Sequence, residues 1–235
     1  MPDSLGDRMK EYENIFRYKL MKKLPVIARI DGRAFHTYTR NCKKPFDMGI
    51  INAMWQTAKH LCYIIDGAKV AFVQSDEISI LILDTDSIQT ESWFDYNIQK
   101  LASVISSEAT VAFNKHTKID NNATFDCRVF NLPPEEIINY FIWRQQDWTR
   151  NSIQMLAQSN FSQKELNGKN NIMLQEMLFQ KGINWNDLPY YLKRGTCIIK
   201  EYYNSPNRSY WTVDSSTPIF TENRNYINNY INSHR

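Results

Sequence analysis

The sequence predicts an α+β fold in which a ferredoxin-type β-α-β-β-α-β core is followed by additional helices and a C-terminal extension. Three observations predict it. Short apolar runs rich in β-branched residues end abruptly at Asp, Gly or Pro. Two long stretches carry apolar residues at helical spacing. Two of the short runs are separated only by Gln74 to Glu77, which indicates a hairpin.

The predicted elements follow one another closely through the first half of the chain. A charged amphipathic helix over residues 7–23 precedes a strand over 26–30, which stops at Asp31-Gly32. Pro133-Pro134 ends the last strand of the core. Between these points we predict a helix at 48–65, hairpin strands at 69–73 and 78–83, a helix at 93–114 and a strand at 125–130.

The second half of the chain has a different pattern. Beyond residue 133 the apolar spacing is mostly helical, with one further strand near Thr196 to Tyr202. The Asn-rich stretch 223–235 offers little to pack, and we expect it to fray. We therefore predict a core over residues 1–132, including the N-terminal helix. A mostly helical part over 133–235 is expected to pack on this core as a single compact unit.

Composition excludes several classes of protein. Lys and Arg number 28 against 25 Asp and Glu, so the net charge of +3 does not by itself indicate a nucleic-acid partner. The four cysteines lack the spacing of a zinc site, and reduced thiols suit an intracellular protein. The N-terminus is polar and acidic, unlike a signal or transit peptide, and no run of about 18 apolar residues predicts a membrane span. We expect a soluble, cytoplasmic protein with no membrane partner, and a mitochondrial role stays open.

Three acidic residues are the most informative feature of the sequence. In a β-α-β-β-α-β sheet the first and third strands are central neighbours, so Asp31 is expected beside the turn that carries Asp76 and Glu77. Carboxylates brought together repel each other unless a cation lies between them, and hard oxygen ligands suit Mg²⁺. The pattern therefore predicts a site for paired metal ions, as polymerases use for in-line nucleotidyl transfer.

A plainer interpretation competes with the metal site. An Asp-Gly after a strand is usually a turn, and an acidic pair at a hairpin tip is usually solvated. Two residues favour the metal, because Gly32 allows its carbonyl to approach an ion closely and Ser75 places a hydroxyl beside the acids. The pattern alone leaves both interpretations open.

Basic residues surround these acids in the sequence, as a bound triphosphate requires. Arg29 and Arg33 flank the first acid, Lys43-Lys44 follow in the next loop, and Lys100 shares a helix face with two serines. Any one of these residues alone is more often a solvated surface cation. Only their grouping argues for a phosphate site.

Several spaced blocks resemble, in order, the tRNA-histidine guanylyltransferases and their guanylyltransferase-like relatives. A series of blocks that continues to about residue 200 is far more specific than a single motif. The blocks are Arg29 to Arg33 with Phe35-His36, Lys44-Pro45 with Asp47, Gln74 to Glu77 with Ile78-Ser79, Phe125-Asp126 with Arg128, Trp143 to Gln145 with Asp147, Lys169-Asn170, and Lys193 to Thr196.

This resemblance implies a palm-like catalytic core and a role for each matched residue. Asp31 and Asp76 are implied to bind both metals with help from the Gly32 carbonyl, while Glu77 is a catalytic acid beside them or a weak ligand. The residues implied to bind the nucleotide and its triphosphate are Arg29, Arg33, Ala34, Phe35, His36, Lys44, Asp47, Ser75, Lys100 and Asn151. Those implied to contact tRNA or assist activation are Arg128, Arg150 and Lys169.

The implied reaction runs in the 3′→5′ direction with two Mg²⁺ ions as cofactors. A 5′-monophosphate tRNA end is first activated by adenylylation from ATP, a step that a 5′-triphosphate does not need. The 3′-hydroxyl of GTP or another nucleoside triphosphate then attacks the activated 5′ phosphate. The pyrophosphate of the added nucleotide is removed or used for another addition. The partners are therefore tRNA and nucleotides, and the resemblance also implies a homotetramer.

One block departs from the histidine-specific enzymes. Where they carry His-Ile-Asn-Asn-Leu-Tyr-Asn, this chain has Thr149 to Met155, so the histidine is replaced by threonine. The segment Arg150-Asn151-Ser152 resembles the guanylyltransferase-like branch, which repairs truncated tRNA 5′ ends by template-dependent addition. We therefore predict a repair enzyme, with the base opposite the gap choosing the nucleotide. A helix face that has merely drifted is the plain alternative.

Three other functions compete with this prediction. A histidine-tRNA guanylyltransferase proper would add a single G. A nucleotide cyclase uses two acids at the same strand ends, but it has no need of the Lys44-Pro45 and Trp143 to Gln145 blocks. An RNA-binding module with this strand order would carry exposed aromatics on its central strands, where this chain has Ala28, Ile30 and Ile80. For His36 we prefer nucleotide packing to acid–base chemistry.

Overall fold

The computed structural model describes residues 4–203 and 208–231. Its strands are β1 (Val26–Gly32), β2 (Ala68–Gln74), β3 (Glu77–Ile82), β4 (Phe125–Asn131), β5 (Thr196–Tyr202) and β6 (Ser209–Asp214). Its helices are α1 (Leu5–Asn14), α2 (Phe35–Tyr38), α3 (Met48–Ile64), α4 (Ile98–His116), α5 (Ile137–Gln158), α6 (Gln163–Leu166), α7 (Asn171–Gln180), α8 (Tyr190–Arg194) and α9 (Asn225–Ile231).

The strands join one antiparallel sheet in the order β4-β1-β3-β2-β5-β6. The first four strands follow the predicted β-α-β-β-α-β order, with β1 and β3 as central neighbours. The α+β fold class is therefore confirmed. Strands β5 and β6 come from the second half of the chain and extend the same sheet, while the predicted boundary at residue 132 stays a prediction.

Alternating side chains build a separate core on each face of the sheet. One face packs against α3 and α4 and buries Ala28 and Ile30 completely. The opposite face packs against α5 and α9 around Ile27 and Phe72. Helix α5 continues past this core to the point where β1 ends and β3 begins, where Arg144 bonds to β3. The helix is therefore placed to contribute side chains to any site at these strand ends.

The N-terminal helix is shorter than predicted. The predicted helix over 7–23 was wrong in its second half, because α1 ends at Asn14. The segment that follows pairs with the chain just before α4: the Leu20 amide donates to the Tyr96 carbonyl at 2.9 Å, and the Ile98 amide donates to the Tyr18 carbonyl at 3.0 Å. These tertiary hydrogen bonds replace the intrahelical bonds that the local pattern favours.

The helix predicted over 93–114 begins later than predicted. Trp93–Tyr96 forms a tight turn in which Phe94, Asp95 and Tyr96 have left-handed φ angles, and α4 begins at Ile98. Asn97 caps α4, since its side-chain oxygen accepts a hydrogen bond from the Lys100 amide at 2.9 Å. Asp95, in a left-handed conformation with a φ of 53°, interrupts the helical path.

The C-terminal extension holds more structure than predicted. Strand β6 was not predicted, because five of its six side chains are only partly buried and the apolar alternation is weak. The tail expected to fray forms α9, in which Ile227 is buried and the Tyr226 hydroxyl donates to Asp214. Residues 232–235 of that tail lie outside the described residues. Within the described ranges, no helix has the length and apolar character needed to cross a membrane.

Candidate active site

The ends of β1 and β3 bring the three predicted acids together. Asp31 and Glu77 face each other directly in the antiparallel register, and cross-strand partners point to the same face of a sheet. The Gly32 amide donates to the Asp76 carbonyl at 3.1 Å and ties β1 to the β2–β3 turn. Ser75 shapes that turn with a φ of 48°, which is uncommon for a residue with a side chain. We call Asp31, Asp76 and Glu77 the acidic strand end.

Two of these acids are held in an environment that disfavours their charge. Burial raises the pKa of Asp76 to about 6, and the negative charges of Asp31 and Glu77 add to the rise. Burial also raises the pKa of Asp31, together with the charge of Asp126, its partner on β4. Neither Asp31 nor Asp76 forms an ion pair with another residue in the described ranges. A bound cation would relieve both effects.

Glu77 differs from the other two acids because its carboxylate already has a cationic partner. Arg144 on α5 donates to it from Nε at 2.7 Å and from a terminal nitrogen at 2.8 Å. Gln74 donates to the same carboxylate at 3.0 Å, and Arg144 also bonds to Asp147 at 3.0 Å. Glu77 therefore anchors α5 to the sheet, and a role as a metal ligand would require it to leave these partners.

A cavity of about 420 Å³ opens on one side of the acidic strand end. Ser75 and Asp76 lie in its wall together with the predicted nucleotide-binding residues Phe35, His36, Lys44 and Asp47. Aromatic side chains complete much of the lining, namely Phe46, Trp55, Trp148 and Tyr191. The volume and the aromatic wall suit a nucleotide base beside a polar site for phosphates.

Asp47 and Lys44 also hold the loop that forms this wall. The Asp47 carboxylate accepts hydrogen bonds from the amides of Gly49 and Ile50, which cap α3, and from the Lys43 amide at 3.0 Å. Burial alone would raise the pKa of Asp47, but these backbone donors hold it below its usual value. The Lys44 ammonium bonds to the Thr39 carbonyl at 3.0 Å.

A second cavity, of about 410 Å³, adjoins the first and runs along α5. Asp31, Glu77, Arg144, Asp147 and Asn151 line it. The two cavities share part of their lining: Ser75, Asp76, Trp148, Met155 and Gln158. The acidic strand end therefore lies at the junction of the two cavities, an arrangement that suits a reaction between two substrates.

Several predicted site residues lie away from both cavities. Lys100 places its ammonium over the Phe94 ring, 4.4 Å from the ring centroid, and so it does not join the triphosphate site in this arrangement. The exposed Arg150 is paired with Asp147. Six further predicted residues lie outside both linings: Arg29 and Gly32 on β1, Arg33 and Ala34 before α2, Arg128 on β4 and Lys169 between α6 and α7.

The sequence pattern gave no role to two side chains that line these cavities. Arg144 appears in a matched block, but its ion pair with Glu77 depends on how α5 crosses the sheet. Trp148 lines both cavities, and its buried indole N–H has no acceptor among the described residues. The spacing of Arg144, Asp147, Trp148 and Asn151 along one helix face was the available signal.

The donor set at the acidic strand end fits a magnesium site. No three Asp, Glu, His or Cys side chains converge as a complete metal cluster among the described residues. Asp31 and Asp76 nevertheless supply two carboxylates to the lining of one cavity, and Mg²⁺ commonly binds through one or two carboxylates while it keeps several waters. A Cβ atom on Gly32 would lie 2.2 Å from the Phe35 ring, so only glycine allows the backbone to pack this closely against that ring.

The fold and this site together define a class of protein, a palm-like nucleotidyltransferase. The family model described as Thg1, tRNAHis guanylyltransferase, matches residues 6–133, and the chain belongs to this family. The resemblance drawn from the sequence blocks is thereby confirmed, and so is the palm-like arrangement of the core.

Solved structures and curated relatives resemble nearly the whole chain. A bacterial tRNA(HIS) guanylyltransferase (Thg1)-like protein in complex with ATP is 51% identical, with a TM-score of 0.92 over 97% of this chain and 99% of that one. The bacterial Thg1-like protein in complex with GTP is 50% identical, with a TM-score of 0.88 over 98% and 100% of the two chains. The tRNA(His) guanylyltransferase of Debaryomyces hansenii is 28% identical over 86% of this chain and 82% of that protein.

Proposed function

We propose that this chain repairs truncated tRNA by adding nucleotides to its 5′ end in the 3′→5′ direction, with the opposite base as template. One observation carries the choice of this branch. The Thr149 hydroxyl, at the position where the resemblance places a histidine, donates to the Lys193 carbonyl at 3.2 Å. The hydroxyl of Ser152 likewise donates to the Leu192 carbonyl at 2.6 Å. These side chains fasten α5 to α8 and offer no imidazole to a substrate.

The acidic strand end is the proposed reaction centre. Asp31, Asp76 and the Gly32 carbonyl would hold two Mg²⁺ ions, which supply Lewis acidity toward the attacking hydroxyl and the phosphates. Glu77 and Arg144 keep α5 in register with the strands, so that Asn151 faces the same cavity as Asp31. Because the site joins two cavities, the incoming nucleotide and the tRNA 5′ phosphate can approach from different sides.

The aromatic cavity is the proposed site for the nucleoside triphosphate. Similar bacterial proteins are described in complex with ATP and with GTP, which supports both nucleotides as substrates here. Lys44 and Ser75 would contact the triphosphate, and His36 would pack against the nucleotide.

Addition of a single G to histidine tRNA is the second candidate. The names of curated relatives such as the D. hansenii protein favour it, since they are tRNA(His) guanylyltransferases. In that case the protein itself would have to select guanine. The Asp47 carboxylate, which is a natural partner for a guanine edge, is already held by three backbone amides.

Extension of a 5′-triphosphorylated tRNA that lacks its first nucleotide tests the proposal. The base opposite the gap is varied, all four nucleoside triphosphates and Mg²⁺ are supplied, and Asp76→Asn serves as the inactive control. We expect the added base to follow the template and the product to disappear in the control. Addition of G alone, and only to histidine tRNA, would establish the second candidate. A parallel assay with 5′-monophosphorylated tRNA and ATP measures the activation step.

We also propose a homotetramer, as the family resemblance implies. Helix α1 buries none of its residues, and Leu5, Met9 and Tyr12 are exposed along one of its faces. An isolated helix of this length is marginal in water, so a neighbouring chain would stabilise it. Light scattering should give four times the 27.8 kDa mass of the chain. A mass of one chain at micromolar concentration would exclude the tetramer. The cytoplasmic location stays a prediction from the sequence.

A further inference from the structure

The second cavity has a wall of carboxamide side chains whose hydrogen-bonding groups the fold uses only in part. Gln74 lines this cavity from the end of β2, and Asn151 and Gln154 line it from α5. None of the three belongs to the lining of the aromatic cavity. We call Gln74, Asn151 and Gln154 the amide wall.

Strand register and one hydrogen bond fix the orientation of Gln74. Gln74 and Asp31 are the direct partners of Glu77 on its two sides, and cross-strand partners point to the same face of a sheet. The Gln74 amide nitrogen donates to the Glu77 carboxylate at 3.0 Å, so exchanging its nitrogen and oxygen would set two acceptors against each other. The side chain is only 5% exposed, and its oxygen has no donor among the described residues. Gln74 therefore holds a buried acceptor in a fixed position, which a ligand with a donor would satisfy.

Helix α5 contributes the other two carboxamides. Asn151 and Gln154 are three residues apart, so they are neighbours on one helix face, about 4.5 Å apart along the axis. Neither side chain forms a hydrogen bond with another residue in the described part of the chain. Gln145 on the same helix differs, because its nitrogen donates to two backbone carbonyls and its oxygen accepts from a backbone amide. The carboxamides of α5 that face the cavity are thus available to a ligand, whereas Gln145 fastens the helix.

The charges of the second cavity make it a poor site for free phosphates. Its lining includes the carboxylates of Asp31, Asp76, Glu77 and Asp147. Its one cation among the described residues is Arg144, which bonds to two of these carboxylates and lies 4.4 Å from the centroid of the Trp143 ring. The aromatic cavity, by contrast, includes Lys43 and Lys44. Neutral carboxamides, which carry both donors and acceptors, suit an uncharged hydroxyl group better than an anion.

We propose that the amide wall binds the 2′-hydroxyl of the 5′-terminal nucleotide of the tRNA, which donates to Gln74 and accepts from the carboxamides of α5. This inference rests on the proposed function, which requires the 5′ phosphate of that nucleotide at the acidic strand end. The ribose is attached to this phosphate and therefore lies beside Asp31, in the second cavity. A hydroxyl has one donor and two acceptor positions, which one fixed oxygen and two amide groups complement.

This contact would select RNA at the 5′ end whatever its sequence. The 2′-hydroxyl distinguishes RNA from DNA, and an A-form helix such as the acceptor stem displays it in the shallow minor groove. A hydroxyl is present on every ribonucleotide, so the amide wall would accept any terminal base. Template-directed repair of different tRNAs has this requirement.

The test compares two truncated tRNAs whose 5′-terminal nucleotide carries either a 2′-hydroxyl or a 2′-hydrogen. Their binding is measured by the fluorescence anisotropy of tRNA labelled at its 3′ end, with Mg²⁺ and without nucleoside triphosphates. The variants are Gln74→Met and Gln154→Met, which replace a carboxamide by an apolar side chain of similar length. The control is Gln146→Met, an exposed position on α5 outside both linings.

We expect wild type and control to bind the 2′-hydroxyl form about tenfold more tightly than the 2′-hydrogen form. Gln74→Met should bind the two forms almost equally, because it removes the acceptor, and Gln154→Met should keep a preference of about threefold. The ratio between the two tRNAs distinguishes a contact from a structural role, since a disturbed fold weakens the binding of both equally. Equal weakening in Gln74→Met, or no preference in wild type, would overturn the proposal.

A second comparison examines the ribose of the incoming nucleotide. Extension rates are measured with GTP and with 2′-deoxy-GTP opposite a templating C. A preference for GTP that Gln74→Met removes would place the incoming ribose at the amide wall and overturn the proposal. A preference in tRNA binding by a protein that extends no truncated tRNA would support the amide wall and refute the repair function. Template-directed extension with no preference between the two tRNAs would refute the amide wall alone.

Discussion

The ion pair between Arg144 and Glu77 gives the sharpest prediction about how the site is held together. Arg144→Met removes a cation whose side chain is 8% exposed, opposite a carboxylate that is 12% exposed. The substitution keeps most of the apolar stem and removes three hydrogen bonds, two to Glu77 and one to Asp147. Glu77 would remain almost buried with only Gln74 and Ser79 as donors.

The expected cost follows from that uncompensated charge. Removing one partner of a buried pair typically destabilises a protein by about 3–5 kcal/mol, because the other charge stays desolvated. Glu77→Gln should cost less, since Arg144 keeps Asp147 as a counterion. In the double variant Arg144→Met/Glu77→Gln neither charge of the pair remains. We therefore expect its loss of unfolding free energy to be at least about 1 kcal/mol smaller than the sum of the two single losses.

Urea unfolding followed by circular dichroism measures these free energies. With a slope of about 2–3 kcal/mol/M, Arg144→Met should lower the midpoint by about 1–2 M. Arg150→Met is the matched control, because it removes an arginine from the same helix that also pairs with Asp147 but is 58% exposed. Its cost should stay below about 1 kcal/mol. Equal effects of the two substitutions, or additive costs in the double variant, would refute the reasoning.

Three further predictions concern single positions. Asp76→Asn should stabilise the metal-free protein at pH 7 by up to about 3 kcal/mol, because burial raises the folded-state pKa from 3.8 to about 6. The difference in melting temperature between Asp76→Asn and wild type should shrink as the pH falls from 6 towards 4, because Asp76 becomes protonated. A difference that does not change with pH would contradict this prediction. Gly195→Ala should lower the free energy of unfolding by several kcal/mol, because its Cβ would lie 2.4 Å from the Phe72 ring. Gly182→Ala should lower it by only about 1 kcal/mol, because no atom lies within 4 Å of its Cβ and only the left-handed backbone conformation is strained. Equal shifts in melting temperature would contradict this prediction. Asp47→Ala and Asn170→Ala should each lower the free energy of unfolding by about 1 kcal/mol, because each removes a helix cap. Only Asp47→Ala should weaken ATP binding measured by calorimetry. Unchanged ATP affinity in Asp47→Ala would exclude this residue from the nucleotide site.

Helix α5 links the stability of the fold to the geometry of the site. Its first half packs on the sheet through Ile137 and Phe141, and its second half lines both cavities. Ser152 and Thr149 attach the helix to the backbone of α8. Because the helix is fixed at both ends, Arg144 keeps the Glu77 carboxylate paired, while Asp31 and Asp76 form no ion pair within the described ranges.

Local sequence determined the core of the fold and the position of its acids. Alternating apolar residues ended by Asp31-Gly32, and a hairpin with Asp76 in its turn, specify strands whose pairing follows from chain connectivity. The acids could be placed together because each lies within one residue of a strand end. Family membership could likewise be predicted, since it rests on residue identities in order and needs no tertiary contact.

Only the tertiary structure decided which neighbours these residues have. The path of residues 15–23 depends on hydrogen bonds to a segment some eighty positions away, and β6 forms because β5 offers it an edge. The same holds within the site, where Asp76 and Glu77 are adjacent acids in the sequence but only Glu77 is paired with Arg144, which comes from another element. Periodicity reports the burial of a residue in its own element, whereas charge pairing and cavity walls depend on how distant elements pack together.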